Sequence, residues 1–230
     1  MADPPRLVVA DDPVARGGAL LAACIVRADA RRGGAGARVA IPGGSALDVA
    51  VAARGLLDDA VWARVRLTWV DERPVPATDP QSNCGAAVRA GLFSRGDAAL
   101  VLRLMCDDEP VVDALARVEA AFDGDLDGAL DVVLLGMGPD GHVASLFPGR
   151  GALAGRVAYV TDSPKPPPER FTLTRVALAT ASETVLVASG AAKRAALARV
   201  LAGDAGLPAV GLPGLVVVTD QGGLDAGAER

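Results

Sequence analysis

Short aliphatic runs recur along this chain, separated by alanine-rich stretches whose apolar residues return every three or four positions. LVVA at 7–10, RVAI at 38–41, RLTWV at 66–70, DVVLLG at 131–136, VAYV at 157–160, TVLVAS at 184–189 and LVVV at 215–218 have the length and aliphatic content of strands. DVVLLG is the clearest, a continuous apolar run bounded by charge and glycine, as a parallel strand buried on both faces requires. Asp12-Pro13 predicts a helix start, with aspartate as N-cap and proline in the first helical position. That helix is expected to reach about Ala30, ahead of Gly33-Gly34. Further helices are predicted after the PGGS break (42–45) to about Leu57, and over about 82–92, 109–122 and 191–202. Strands alternating with helices predict βαβ units. The expected fold is therefore α/β, a modified doubly wound, Rossmann-like, mostly parallel sheet with helices on both faces. Residues 1–230 are expected to form one domain, with proline-rich SPKPPPER (163–170) as an ordered loop rather than a linker.

Composition narrows the function classes. Half the residues are hydrophobic, 51%, enough for a large core, but only 3% are aromatic, so aliphatic and alanine packing must fill it. A net charge of −5 argues against a nucleic-acid partner, which calls for a basic face. An acidic protein can still bind an anion, but only through a local cluster of cations. The three cysteines, Cys24, Cys84 and Cys106, are too far apart in sequence for a CxxC redox motif or a metal pair. With one histidine they make no zinc site, so no metal is expected. The N-terminal MADPPRLVVADD has no apolar signal core, and no apolar stretch approaches the roughly 20 residues of a membrane span. A cytoplasmic protein with no membrane partner is expected, a monomer rather than an obligate oligomer.

In open parallel sheets, ligands bind beyond the carboxyl ends of the strands. The polar motifs of this chain follow residues 41, 70, 135 and 189, at the ends of predicted strands. His142, the only histidine, lies in GMGPDGH (136–142), directly after the strongest strand. Histidine exchanges protons near neutrality, as a group that takes a proton from water and returns it must. Asp140 has two open readings: it holds the second ring nitrogen of His142, or it caps a short helix starting near Ala144. Gly43, Gly44 and Ser45 form a strand-to-helix turn whose backbone N–H groups suit a phosphate, or simply a tight turn. Asp71-Glu72-Arg73 is either a solvated loop or part of a cleft, in which Asp71 and Arg73 could pair with each other. Only two of the 23 cationic residues are lysines. One of them, Lys193 in SGAAK (189–193), opposes the dipole of the helix it begins, a conflict that a bound phosphate would offset. Arg170 is the second candidate phosphate ligand.

Taken together, IPGGSAL (41–47), LTWVDERPVPATDPQSN (67–83), LDVVLLGMGPDGHVASLFPG (130–149), SPKPPPERFTLT (163–174) and SGAAKRAAL (189–197) resemble the glucosamine-6-phosphate isomerase/6-phosphogluconolactonase family, on its lactonase side. The resemblance spans nearly the whole chain in order. It implies the fold of glucosamine-6-phosphate deaminase and hydrolysis of a small sugar-phosphate lactone, 6-phospho-D-glucono-1,5-lactone, in the oxidative pentose phosphate pathway, with no cofactor. Carried over by position, it makes His142 the base and puts Gly43, Gly44, Ser45, Arg170 and Lys193 around the phosphate. Asp71, Arg73 and Asp140 support them. Three positions depart from the pattern. Pro42 replaces the usual serine and removes one N–H, Val143 replaces a threonine, and the segment 207–220 lacks a tryptophan. The alternatives are a sugar-phosphate isomerase or deaminase on the same fold and a non-catalytic sugar-phosphate sensor. Against the first, ASLFPG (144–149) lacks the carboxylate a deaminase carries there, and no further histidine exists. Against the second, Asp140-Gly141-His142 is intact and no DNA-binding segment precedes residue 7.

Overall fold

The computed structural model describes residues 4–93 and 100–224. Its order is β1 (Arg6–Val9), α1 (Pro13–Arg31), β2 (Arg38–Ile41), α2 (Leu47–Arg54), α3 (Asp59–Trp62), β3 (Arg66–Trp69), β4 (Asp71–Glu72), α4 (Asn83–Arg89), β5 (Leu100–Leu102), α5 (Val111–Gly124), β6 (Val132–Gly136), β7 (Val157–Val160), β8 (Arg170–Leu173), α6 (Arg175–Leu178), β9 (Glu183–Val187), α7 (Arg194–Leu201) and β10 (Leu215–Thr219). Short 3₁₀ turns precede α2, at Gly44–Ala46, and α7, at Ala191–Lys193. The N-cap of α1 is Asp12, whose side chain accepts from Ala15 N at 2.9 Å, with Pro13 first in the helix, as the sequence predicts.

Seven strands form one parallel sheet in the order β1-β10-β9-β6-β2-β3-β5. The order reverses between β2 and β6. From β2 the chain proceeds to β3 and β5 on one side; from β6 it proceeds to β9 and β10 on the other. The loops leaving β2 and β6 therefore diverge and open a crevice at their carboxyl ends, the expected place for a ligand. The first four residues of β6 are buried, which explains its unbroken apolar sequence. Helix α1 packs on α2 closely enough that a Cβ on Gly18 would lie 2.7 Å from that of Ala52.

VAYV does not join this sheet, contrary to a simple βαβ reading. As β7 it pairs antiparallel with β8, which pairs antiparallel with β4 in a separate three-stranded sheet. Neither β5 nor β8 was legible as a strand. RFTL (170–173) is buried at all four positions although two are polar. Thr172 Oγ1 donates to Leu173 O at 3.0 Å, and the Arg170 guanidinium donates to loop carbonyls. The small sheet lays Arg170 beside Asp71, because Asp71 pairs with Thr172 in its register.

An ion pair locks the amino ends of the two strands that flank the crevice. Arg38 Nε and Nη2 donate to the two carboxylate oxygens of Asp131 at 2.9 and 2.7 Å, and Arg38 N donates to Asp131 Oδ2 at 2.9 Å. Removing one partner of a largely buried pair leaves the other charge without compensation. Asp131→Ala is therefore expected to lower the unfolding free energy by about 3–5 kcal/mol. Urea denaturation checks this, and a loss under about 1 kcal/mol, the scale of an exposed pair, would contradict it.

Candidate active site

The crevice holds a cleft of about 200 Å³. One wall is the turn after β2. Gly44 there has φ +61°, which glycine adopts without strain. Gly43 is constrained by space instead: a Cβ would fall 1.9 Å from Asn83 Oδ1. The first N–H groups of the 3₁₀ turn have no carbonyl of a preceding turn to bond, and Gly43, Gly44 and Ser45 line the cleft.

The facing wall is the loop after β6. Gly138 N donates to His142 O and Gly141 N to Gly138 O, both at 2.9 Å, so the loop closes on itself. The imidazole lies against the α-carbon of Gly138, where a Cβ would come within 2.1 Å of His142 Cε1. Asp140 Oδ1 is 2.6 Å from His142 Nδ1, and the Phe147 ring packs on the imidazole with centroids 4.9 Å apart. With Nδ1 engaged, Nε2 is the nitrogen available to a ligand. Desolvation pushes the Asp140 carboxyl up, but the hydrogen bond and charge of His142 outweigh it and hold it below the ordinary value. Of the two readings of Asp140, the geometry supports the first. No helix starts at Ala144: Val143 and Leu146 form an isolated bridge, and Ala144 sits at φ +50°.

Asp71 and Arg73 do not pair with each other, contrary to one expectation. Asn83 stands between them. Its Nδ2 donates to Asp71 O at 2.7 Å and to Asp71 Oδ1 at 3.1 Å, and its Oδ1 accepts from Arg73 Nη1 at 2.9 Å. The other Asp71 oxygen accepts from Ser145 Oγ at 2.8 Å, and Arg170 Nη1 lies 3.7 Å from it. Glu72 points away from the cleft and holds the start of α4. It accepts from Asn83 N and Cys84 N, each at 2.7 Å, and from Arg73 N and Ser82 Oγ. Desolvation raises the Glu72 carboxyl above the usual range against the pull of those N–H groups.

Arg170 and Lys193 complete the lining. Arg170 is buried and also braces the proline-rich loop, donating to Pro166 O at 2.9 Å and Pro167 O at 3.2 Å. Lys193 ends the 3₁₀ turn ahead of α7. Desolvation pulls its ammonium below the usual lysine value of 10.5, against the attraction of Asp220. The fold thus gathers Gly43, Gly44, Ser45, Asp71, Arg73, His142, Arg170 and Lys193 in one cleft, with Asp140 bonded to His142. Sequence reasoning did not single out Ser145, Phe147 or Gly138 and left Asn83 and Glu72 undecided. A buried, hydrogen-bonded Ser145 or Asn83 carries no mark in the sequence. A larger, mainly apolar cavity of about 1140 Å³ includes Ser145 and Phe147 but none of the predicted residues. The smaller cleft is the candidate site because the titratable groups converge there.

Among the described residues no cluster of three or more His, Cys, Asp or Glu could hold a metal, and no helix is long and apolar enough to cross a membrane. Residues 10–219 match the family described as glucosamine-6-phosphate isomerases/6-phosphogluconolactonase. The chain belongs to this family. A 6-phosphogluconolactonase of Streptomyces coelicolor is 37% identical over 93% of this chain and 90% of its own. One of Bos taurus is 35% identical over 86% and 82%. The crystal structure of a 6-phosphogluconolactonase of Thermotoga maritima superposes with a TM-score of 0.79 at 25% identity, covering 94% of this chain and 98% of its own. The parallel seven-stranded sheet is therefore that of the isomerase/lactonase family.

The cationic end of the cleft generates a pH prediction. As pH rises through the folded-state value of Lys193, below 10.5, the ammonium loses its charge and an anion loses a partner. Calorimetric binding of inorganic phosphate is expected to weaken as the pH is raised from neutrality toward 10.5, and Lys193→Arg, whose guanidinium stays charged, is expected to flatten the decline. A flat wild-type profile would contradict this.

Proposed function

We propose that the chain hydrolyses 6-phospho-D-glucono-1,5-lactone to 6-phospho-D-gluconate, as a 6-phosphogluconolactonase of the oxidative pentose phosphate pathway. The observation that carries the reading is the held imidazole: His142 bonded through Nδ1 to Asp140, in a cleft that also contains three cations and a glycine turn. Lys193, Arg170 and the N–H groups at Gly43, Gly44 and Ser45 hold the phosphate. Pro42 removes one donor from that turn without removing these. Binding of the remote phosphate fixes the lactone carbonyl beside a water, so anchoring serves the chemical step.

His142 Nε2 takes a proton from that water as its oxygen bonds to C1 of the lactone. The tetrahedral oxyanion needs a donor. In the histidine loop, Gly138 N and Gly141 N are bonded within the loop. We assign the role of main donor to Arg73, which lines the cleft. The bond from C1 to the ring oxygen then breaks, and imidazolium returns the proton to that oxygen. Asp140 orients the ring and stabilises its charged form. No step needs a cofactor or a metal. The isomerase reading lacks a cleft carboxylate free for the task. Asp71 is the carboxylate in the lining, and it is buried and bonded to Ser145 and Asn83.

With three free cysteines, two of them buried, we place the protein in the reducing cytoplasm, as a single-domain monomer acting on a small molecule. The test is kcat/KM for freshly generated 6-phosphogluconolactone and for unphosphorylated gluconolactone, each corrected for spontaneous opening. Wild type is expected to prefer the phosphorylated lactone strongly. Lys193→Met is expected to lose about 10-fold to 150-fold on it and little on the other. Arg170→Ala affects both substrates because it also releases the proline-rich loop. Equal losses on both lactones in Lys193→Met would overturn the phosphate assignment, and no wild-type activity on either would overturn the function.

A further inference from the structure

Asn83 makes contacts that a helix-capping residue does not need. Its backbone N–H already serves the start of α4 through Glu72. The residue is 2% exposed, and its side chain touches three separate parts of the cleft: the Gly43 turn, Asp71 and Arg73. The hydrogen bonds dictate its orientation. Both partners on the Asp71 side are acceptors, a carbonyl and a carboxylate, whereas a guanidinium can only donate. A carboxylate at this position would face the Asp71 carboxylate, and an aliphatic side chain would satisfy neither neighbour. The amide is thus the group that can sit between an anion and a cation and serve both.

Arg73 needs such a partner. It leaves the end of β4 on a long, flexible side chain, and its Nε is buried with no hydrogen-bond partner. Its anchors are Nη1 on Asn83 Oδ1 and on the carbonyl of Gln81. Asn83 is in turn fixed by Asp71, whose second oxygen receives Ser145 Oγ from the segment that follows His142. A chain of side-chain hydrogen bonds, Arg73–Asn83–Asp71–Ser145, therefore runs behind the cleft from the proposed oxyanion donor to the histidine loop. Preorganised donors stabilise a developing charge because they need not reorient during reaction.

We infer that Asn83 is a positioning residue that holds the Arg73 guanidinium in its reactive place and couples that place to the Asp71–Ser145 link and the Gly43 turn. This rests on the reading of Arg73 as oxyanion donor.

A double-mutant cycle tests it. Asn83→Ala is expected to lower kcat on the phosphorylated lactone by about tenfold to a hundredfold with little change in KM. Arg73→Ala is expected to cost at least as much. The double variant is expected to match Arg73→Ala, because a residue that acts through Arg73 has nothing left to do without it. Ser82→Ala supplies the control for α4: it removes the hydroxyl that accepts from Gly85 N and donates to Glu72 but leaves the Asn83 amide in place, so it is expected to lower Tm without lowering kcat. The same cycle is read in calorimetric binding of 6-phosphogluconate, so coupling is measured independently of turnover. Additive losses in both readouts would overturn the inference while leaving Arg73 in its role. A harmless Arg73→Ala would overturn the inference and the oxyanion assignment together, yet wild-type lactonase activity would stand. A kcat loss in Ser82→Ala as large as that in Asn83→Ala would show that the helix, rather than the amide, matters.

Discussion

Everything in this site depends on two parallel strands that lie side by side while their chains depart to opposite sides. β2 and β6 pair through Val39 and Ala40 with Val132 and Val133. Their following loops cannot cover one another, so backbone donors and polar side chains meet in a gap that the sheet itself leaves open. The Arg38–Asp131 pair fixes the relative position of the two strands at their amino ends. What varies at their carboxyl ends is the loop chemistry, and there the chain uses glycine on both walls. Gly43 admits the Asn83 amide and Gly138 admits the imidazole. Each glycine is a volume requirement: a single Cβ would displace a functional group.

The cleft separates its charges by environment. Asp140 is partly exposed and kept ionised by the imidazole it orients. Asp71 is buried and bonded to Ser145 and Asn83, so it organises the cleft wall. Glu72 is buried deeper and holds the start of α4 with backbone N–H groups around it. Three carboxylates near one cleft thus do three different things. On the cationic side, Arg170 donates to loop carbonyls and lines the cleft, whereas Lys193 offers a point charge whose pKa is lowered by desolvation. A bound dianion would relieve that desolvation cost, which gives the protein, at net charge −5, a focused place for an anion.

Six strands of the main sheet were legible as aliphatic runs, the central ones because they are buried on both faces; the three-residue edge strand β5 was not. The catalytic candidates were legible because they follow those runs, and the family resemblance grouped them. Of the small sheet only VAYV was legible as a strand, and its antiparallel pairing was not. β4 has two residues, both charged, and β8 hides Arg170 and Thr172 through hydrogen bonds that no periodicity reveals. The helix expected near Ala144 failed for a similar reason. The segment turns through a positive φ to place Ser145 on Asp71, and tertiary contact outweighs local propensity. Asp71 and Arg73 are close in sequence yet are joined only through Asn83, which depends on α4 folding back onto β4.

We propose that His142, held through Nδ1, activates water at Nε2. The most direct test is turnover of freshly generated 6-phosphogluconolactone by His142→Gln, with the spontaneous rate subtracted and 6-phosphogluconate binding measured alongside. The variant is expected to bind the product as wild type does and to lose on the order of 100-fold to 10,000-fold in turnover. Turnover near the wild-type rate, with binding intact, would contradict it.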